Sequence, residues 1–262
     1  KVLKENLDQW KSKKIDLQIA YSLKANYDDK ILAYFAKNAE FLEVASLDEF
    51  ELASHYISTN LIFVNGPIYS KNDLQLICSS GALLIIDSLT QLKIINDLQE
   101  VNKRSFRLGV RVRMNGFPST RFGISENELI NFKQQLNRNS TLELLHCHYC
   151  DGFRTPVSFS QRIVYLEKVR KEHFPNVKHI NIGGGYYSEM PKELAAQFDE
   201  PIPTIKEYLD EIQKHFCKEI QLTTEIGSGL VANAVDYICR VEDIKSDDKK
   251  LLIITNGSKW DI

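Results

Sequence analysis

Short runs of β-branched and aliphatic residues alternate with amphipathic segments along most of this 262-residue chain, and this alternation constrains the fold more than any other feature. It is typical of βα units that build a parallel sheet. The predicted strands are residues 16–22, 41–45, 61–65, 82–87, 106–114, 142–149, 179–182 and 221–225. The predicted helices are residues 28–38, 47–56, 71–79, 89–101, 126–137, 160–173 and 204–216. Units in this order predict an α/β fold, a (β/α)8 TIM-type barrel, with a doubly wound sheet as the alternative.

The alternation breaks after the last of these strands. Residues 235–241 and 251–255 are predicted to form two further strands, with a charged turn at 246–250 between them. We therefore expect residues 1–233 to form the barrel. Residues 234–262 are expected to begin a C-terminal β domain, the rest of which this chain does not contain.

Composition narrows the class of protein. The chain has 33 basic and 35 acidic residues, a formal net charge of −2 and no long basic block, which argues against a nucleic-acid partner. No apolar run approaches the roughly 18 residues of a membrane span. The 5 cysteines are odd in number and widely scattered, which argues against a secreted disulfide framework. A cytoplasmic setting is expected.

Polar residues and glycines occur at the carboxyl ends of the predicted strands, where barrel enzymes place their chemistry. They are Lys24, Glu43 to Ser46, Arg111 and Arg113, His146 and His148, Gly183 to Gly185, and Glu225. Lys24 alone fits a solvated surface lysine, but an enclosed site would favour its neutral, nucleophilic amine by desolvation. The glycine triplet fits either a flexible turn or a cradle of backbone amides for a phosphate group.

Glu225 ends a buried strand, where an unpaired charge is costly. It therefore needs a cationic partner, which is either Arg111 or Arg113 in a structural ion pair, or a cationic ligand such as a protonated pyridine nitrogen.

The segment from His146 to Cys150 is the densest group of ligand-type residues. Side chains alternate on a strand, so His146, His148 and Cys150 would share one face while Cys147 points away. No second ligand cluster follows at finger-like spacing, and no metal site is predicted. We interpret His148 as a flat ring that stacks on an aromatic cofactor, with a core histidine as the alternative.

Motifs along nearly the whole chain resemble those of the fold-type III pyridoxal phosphate enzymes, which share the alanine racemase-like barrel. The group that they most resemble is the diaminopimelate, ornithine and arginine decarboxylases. In chain order the motifs are Tyr21-Ser-Leu-Lys24-Ala-Asn26, Glu43-Val-Ala-Ser46-Leu-Asp-Glu49, Arg121-Phe-Gly-Ile124, His146-Cys-His148, Asn181-Ile-Gly-Gly-Gly185 and Glu225-Ile-Gly227.

The resemblance implies pyridoxal 5'-phosphate as the cofactor and assigns roles to these residues. Lys24, His148 and Glu225 would be the catalytic residues: the Schiff base lysine, the residue that stacks on the ring and the partner of the pyridine nitrogen. The other residues implied at the cofactor are Gly183, Gly184 and Gly185 at the phosphate, and Glu49, Arg111 and Ser228.

Four residues in three motifs depart from the family's pattern. Cys150-Asp151 stands where the family has a glycine and a serine, and Ser228 stands where the family places an arginine on the phosphate. Glu43 replaces an aspartate of the second-strand motif. Arg154 or another cation is a candidate replacement for the lost phosphate contacts.

The resemblance implies decarboxylation of an amino acid, such as diaminopimelate, ornithine, lysine, arginine or a specialised biosynthetic substrate. Glu225 favours this reaction over that of a racemase on the same barrel, because a protonated ring is the better electron sink. The implied partners are a small amino-acid substrate and a second copy of the chain, in a homodimer with shared active sites. The alternatives are a catalytically impaired cofactor-binding or regulatory barrel, and a racemase.

Overall fold

A computed structural model describes residues 1–11, 15–115, 121–138, 140–149, 152, 154–198, 201–247 and 250–257. Its strands are β1 Leu17–Ser22, β2 Phe41–Val44, β3 Ile62–Val64, β4 Leu83–Ile86, β5 Arg107–Arg113, β6 Ile124–Ser125, β7 Thr141–His146, β8 His179–Asn181, β9 Gln221–Ile226, β10 Val241–Asp247 and β11 Lys250–Thr255. Its helices are α1 Val2–Trp10, α2 Asp29–Asn38, α3 Leu47–Ser54, α4 Lys71–Ser79, α5 Leu89–Asn102, α6 Glu126–Gln135, α7 Pro156–His173, α8 Lys192–Ala195, α9 Ile205–His215 and α10 Ser228–Val231.

The main sheet closes into a parallel barrel, which confirms the predicted fold and excludes the doubly wound sheet. Strands β1 to β5 pair in order, β5 pairs with β7, and the circuit continues through β8 and β9 back to β1. The short strand β6 pairs with the end of β5 outside this circuit. The eight predicted strands match the barrel strands to within a few residues, because the apolar runs that define them are the buried parts of the barrel.

Two apolar cores stabilise the barrel. The smaller core fills its interior and consists of Ala20, Phe63, Leu83, Ile85 and Leu144. The larger core lies between the barrel and the surrounding helices, where for example the Tyr21 ring stacks on Phe35 at 4.2 Å between centroids. Successive residues of a strand face opposite sides, so each barrel strand supplies both cores.

The helices begin at caps that the sequence contains. The side chain of Asp28 accepts hydrogen bonds from the N–H groups of Lys30 and Ile31, and Ser46 and Ser88 cap α3 and α5 in the same way. Helix α7 begins at Pro156, four residues before its predicted start. Proline is compatible with the first turn of a helix, where its missing N–H has no intrahelical partner. The sequence did not predict α1, α8 or α10.

The predicted strand at 235–241 is wrong. The strand in this region, β10, begins at Val241, and its antiparallel pairing with β11 runs from Val241 opposite Thr255 to Asp247 opposite Lys250. The position of β10 is therefore set by its pairing with β11 and not by the apolar run upstream of Val241. The predicted charged turn at 246–250 is also too long, because Ser246, Asp247 and Lys250 belong to the ladder. The boundary between the barrel and a second domain at 233/234 stays a prediction.

None of the helices in the described ranges combines the length and the apolar character needed to cross a membrane.

Candidate active site

A ring of buried polar side chains lines the carboxyl-terminal mouth of the barrel, with one side chain from each barrel strand. Its members are Ser22, Glu43, Asn65, Asp87, Arg111, His146, Asn181 and Glu225. Each lies at or just beyond a strand end, on the inward side of the period-two alternation. Buried polar groups are costly without partners, so the ring is held by hydrogen bonds and charge pairs among its own members and their neighbours.

Lys24 projects from a single turn of 3-10 helix that directly follows β1. Its Nζ donates to Glu43 Oε2 at 2.7 Å and to Ser22 Oγ at 3.2 Å, while 52% of the side chain stays exposed. Desolvation by burial lowers the pKa of Lys24, but the carboxylates of Glu43 and Glu225 outweigh it and raise the pKa above its ordinary value. The expectation that desolvation makes this amine neutral is therefore wrong, because an acidic partner lies within hydrogen-bond distance.

Glu43 is the buried partner of this lysine, with 1% of the residue exposed. One carboxylate oxygen, Oε2, accepts from both Lys24 and Ser22. The other oxygen, Oε1, is buried and has no hydrogen-bond partner among the described residues. Burial, together with the negative charge of Glu225, raises the pKa of Glu43, and Lys24 opposes that rise. Glu43 is thus a buried carboxylate with capacity for a further hydrogen bond.

Glu225 is held by a histidine and an amide. Its Oε1 lies 3.3 Å from His146 Nε2 and accepts from Asn181 Nδ2 at 2.9 Å. Desolvation lowers the pKa of His146, so at neutral pH this contact is a hydrogen bond from an uncharged imidazole. Burial alone would raise the pKa of Glu225, but the contact with His146 and the charge of Lys24 outweigh it and lower the pKa, which keeps the carboxylate ionised.

Neither arginine that was considered as the partner of Glu225 forms that ion pair. Arg111 lies 3.8 Å from Asp87 Oδ1, and Arg113 lies 3.9 Å from Glu128 Oε2. Arg111 also donates to the carbonyl oxygen of His148 at 3.4 Å and so supports the chain after β7.

His148 packs directly against the glycine loop that follows β8. The N–H of Gly184 donates to His148 Nδ1 at 3.0 Å, which fixes the plane of the ring. Gly183 has φ +66°, and a Cβ there would lie 2.7 Å from His148 Cβ. A Cβ on Gly184 would lie 2.1 Å from the carbonyl oxygen of Glu225. Only glycine therefore allows this loop to approach both β9 and the histidine.

A buried arginine holds the same loop from behind. Arg162 of α7 donates to the carbonyl oxygens of Ile182 at 2.7 Å and Gly184 at 3.0 Å, and also to that of Tyr149. Its guanidinium lies 4.1 Å from the centre of the Phe159 ring. Arg162 thereby joins the ends of β7 and β8 to one helix.

A cleft of about 270 Å³ opens at this mouth and brings most of the predicted site residues together. Its walls include Lys24, His148, Gly184, Gly185, Glu225 and Ser228. They also include Arg154, the candidate cation for the phosphate, and Tyr186, which the sequence did not single out. Gly183 lies behind this wall, against His148.

Besides Gly183, two predicted cofactor residues lie outside the lining of the cleft. Glu49 accepts from Tyr27 Oη at 3.0 Å and from the N–H of Ala45 at 2.7 Å, so one oxygen contacts the segment before α2 and the other holds the turn after β2. Arg111 lies with Asp87 and His148, as described above. Their roles at the cofactor stay predictions. Cys150 and Asp151 fall outside the described residues.

The predicted alternation is confirmed for His146, at the end of β7, and Cys147: His146 faces the barrel interior, while Cys147 belongs to the outer core. The part of that prediction that concerns Cys150 lies outside the described residues. Within the described ranges, no three His, Cys, Asp or Glu side chains are grouped so that they could hold a metal ion.

Comparison with known proteins identifies the family. The profile described as "Pyridoxal-dependent decarboxylase, pyridoxal binding domain" matches residues 1–232. The chain belongs to this family. Membership confirms the resemblance drawn from the motifs and implies pyridoxal phosphate as the cofactor.

Relatives and solved structures agree with this assignment. The chain is 26% identical over 249 residues to the 2-[(L-alanin-3-ylcarbamoyl)methyl]-2-hydroxybutanedioate decarboxylase of Staphylococcus aureus, covering 87% of this chain and 61% of that protein. It is 25% identical over 263 residues to a probable chloroplastic diaminopimelate decarboxylase of Oryza sativa, covering 92% of this chain and 52% of that protein. The chain therefore spans between half and two thirds of the length of these relatives.

The fold also matches a solved structure. Diaminopimelate decarboxylase from Helicobacter pylori, crystallised with L-lysine, superposes with a TM-score of 0.81 at 18% identity, covering 97% of this chain and 68% of that one.

The residues of the mouth fit this cofactor. Three carboxylates at the mouth of the barrel, those of Glu43, Asp87 and Glu225, lie near two cations, Arg111 and Lys24. The resulting excess of negative charge suits a protonated heterocycle. The loop at Gly184 and Gly185 presents backbone without side chains, and no atom of the described residues lies within 4 Å of the Cβ position of Gly185. An anionic group therefore has room beside this bare backbone, although the N–H groups of Gly183 and Gly184 already donate to Asn181 and His148.

Sequence reasoning named Glu43 but missed its pairing with Lys24, and it did not single out Asn65, Asp87 or Arg162. The signal for Asn65 and Asp87 was available, since both are the first polar residues after an apolar strand. Arg162 carries no such signal, because an arginine within an amphipathic helix is usually solvated.

Proposed function

We propose that this protein decarboxylates an amino acid with pyridoxal phosphate held on Lys24. The observation that carries the proposal is that Lys24 and Glu225, two hundred residues apart in the chain, line one cleft. Strands β1 and β9 are neighbours with Ala20 opposite Glu225, so the amine and the carboxylate come to the same mouth. Pyridoxal phosphate, when bound, accepts the electron pair left on Cα as carbon dioxide departs.

Lys24 supplies the amine that binds the cofactor aldehyde. The amine must first lose a proton, and Glu43 Oε2, 2.7 Å from Nζ, is the nearest acceptor. Transfer to Glu43 is aided by its raised pKa, which makes it a better base than an exposed carboxylate. Glu43 thus both anchors the lysine and accepts its proton.

Glu225 would keep the ring nitrogen of the cofactor protonated. Its lowered pKa keeps it ionised, and His146 and Asn181 fix its orientation. An ionised carboxylate beside the ring nitrogen stabilises the protonated ring, which is the form that accepts electrons best. An arginine at this position would act in the opposite sense, which supports decarboxylation over racemisation.

His148 and the glycine loop orient the cofactor. The ring of His148, fixed by the N–H of Gly184, offers a flat face in the cleft, and the loop from Gly183 to Gly185 offers backbone to the phosphate. Burial and the nearby arginines lower the pKa of His148 well below its usual range, so the ring is uncharged at neutral pH. A neutral imidazole suits stacking on a cationic heterocycle.

The proposed substrate is an amino acid of the diaminopimelate, ornithine, lysine or arginine class, or a specialised biosynthetic relative of these. We further propose a cytoplasmic homodimer in which the second subunit helps to complete each active site. The names of the relatives support the proposed substrate class. The cleft described above is the part of the proposed active site that the barrel of one subunit supplies.

The cofactor test compares wild-type protein with Lys24→Ala after addition of pyridoxal phosphate. The expected result is a visible absorbance band that survives dialysis in the wild type and is absent in the variant. An unchanged band in Lys24→Ala would exclude Lys24 as the attachment point.

The reaction test uses the full-length protein with a panel of amino acids, and carbon dioxide release is followed by mass spectrometry. Racemisation without gas would refute decarboxylation. A stable band with neither reaction would favour the catalytically impaired barrel.

A further inference from the structure

The phosphate end of the cleft needs a positive charge. The phosphate group of the cofactor carries close to two negative charges at neutral pH, and charge-assisted hydrogen bonds to such groups are the strong ones. The cations among the cleft residues are Lys24 and Arg154. Lys24 is hydrogen-bonded to Glu43, and its amine is the proposed attachment point for the cofactor aldehyde. Its charge is therefore not available to the phosphate.

We propose that Arg154, in the segment between β7 and α7, binds the phosphate of the cofactor. The inference rests on the proposed cofactor site and adds a ligand to it. Arg154 Nη1 donates to the carbonyl oxygen of Tyr186 at 3.4 Å, and Ser228 Oγ donates to the same oxygen at 3.4 Å. The guanidinium therefore lies beside Ser228, at the edge of the glycine loop. Residue 228 is a serine and carries no charge. The positive charge at this place is therefore supplied by Arg154, from a different segment of the chain.

One contact to the side chain and one to the backbone hold Arg154 in this position. Its guanidinium carbon lies 4.6 Å from the centre of the Tyr187 ring, which is a cation–π contact. Tyr208 Oη donates to the Arg154 carbonyl oxygen at 2.7 Å and fixes the backbone. That backbone has φ +54°, a left-handed conformation that a non-glycine residue adopts at a cost. Strained backbone conformations of this kind are concentrated at functional sites, where they position side chains.

The charge of Arg154 is available for a ligand. Within the part of the chain that the structure describes, the arginines that lie within 4.0 Å of a carboxylate do not include Arg154. The guanidinium has five N–H donors, and its hydrogen bond to Tyr186 engages one nitrogen. Donors therefore remain for phosphate oxygens, for which the planar guanidinium is well suited.

The experiment measures the affinity of cofactor-free protein for pyridoxal phosphate and for pyridoxal, which lacks the phosphate, by absorbance titration. Arg154→Gln should raise the Kd for pyridoxal phosphate about tenfold or more and leave the Kd for pyridoxal unchanged. Arg154→Lys, which keeps the charge but not the fork of donors, should give an intermediate value. Arg104→Gln is the matched control, because Arg104 is exposed in the loop before β5, at the opposite end of the barrel.

A rescue variant makes the test independent of folding defects. Because Ser228 and Arg154 reach the same carbonyl oxygen, Ser228→Arg in the Arg154→Gln background should recover most of the lost affinity. Equal Kd values for Arg154→Gln and wild type would overturn the inference while leaving the proposed function intact. An equal loss for pyridoxal and pyridoxal phosphate would overturn it too, since the defect would not involve the phosphate. Absence of saturable binding by the wild type would instead refute the cofactor site itself.

Discussion

The pairing of Lys24 with Glu43 determines when the amine can react. An ammonium group is not a nucleophile, and the carboxylates around Lys24 raise its pKa above the ordinary value. Attachment of the cofactor should therefore become faster as the pH rises toward that pKa. Ser22 contributes by donating to the same carboxylate oxygen that Lys24 contacts.

Glu43→Gln tests this control of the lysine. Removal of an anion 2.7 Å from Nζ should lower the pKa of Lys24 and shift the pH at which attachment is half-maximal downward by about one unit or more. The measurement is the rate of the visible absorbance change when cofactor-free protein is mixed with pyridoxal phosphate over a range of pH.

Glu143→Gln is the control, because Glu143 pairs with Arg107 near the amino-terminal ends of β5 and β7. It should leave the profile unchanged. A Glu43→Gln profile that coincides with that of the wild type would show that another group governs the amine.

At the scale of elements, the close approach of the glycine loop to β9 sets the geometry of Glu225. Gly184→Ala would place a methyl group 2.1 Å from the Glu225 carbonyl oxygen, and neither backbone can yield without moving a strand. We expect a loss of about 2 kcal/mol or more in the free energy of unfolding, together with weaker cofactor binding. Urea unfolding and cofactor titration measure the two effects.

Gly81→Ala separates crowding from backbone strain. Gly81 has φ +88°, and no atom in the described part of the chain lies within 4 Å of its Cβ position, so alanine there should cost about 1 kcal/mol through conformation alone. Its cofactor affinity should equal that of the wild type. Equal losses of stability and affinity in the two alanine variants would contradict the role given to close packing at Gly184.

The elements themselves were largely predictable from the sequence. Apolar runs locate the barrel strands because these strands are buried on both sides, and side-chain caps such as Asp28 and Ser46 locate helix starts. Helix α1 was missed, although its Trp10 is fully buried and packs edge-on against Tyr186 at 4.6 Å between centroids. Its partners lie far along the chain, and tertiary contacts of that kind leave no local pattern.

At the scale of the whole molecule, the order of strands around the barrel decides which distant residues meet. The six motifs locate Lys24, His148, the glycine loop and Glu225, and the cleft brings them together. The ion pair of Lys24 with Glu43 requires β1 and β2 to be paired with Ser22 opposite Glu43. The position of Arg154 beside Ser228 depends on two separate loops. Neither the ion pair nor the position of Arg154 can be predicted from the spacing of residues within one segment.

The opposite end of the barrel interior holds a partly buried histidine that makes stability depend on pH. His179, at the start of β8, lies 2.6 Å from Thr223 Oγ1 by its Nε2 and 5.7 Å from the Phe63 ring. Burial, with a contribution from Arg107, lowers the pKa of His179 to about 4. Above pH of about 6.5 neither the folded nor the unfolded chain protonates this ring. Below it the unfolded chain binds a proton that the folded chain does not, so acid favours unfolding until the pH falls to about 4.

His179→Gln should therefore reduce the loss of unfolding free energy between pH 7 and pH 5 by about 2 kcal/mol, as measured by urea unfolding at the two values. Two other histidines, the buried His146 and the partly buried His148, also have lowered pKa values and contribute to the remaining loss. The exposed His55, changed to Gln, is the control and should leave the difference between the two pH values as it is in the wild type. The same loss in His179→Gln as in the wild type would mean that the ring takes up its proton within the folded barrel.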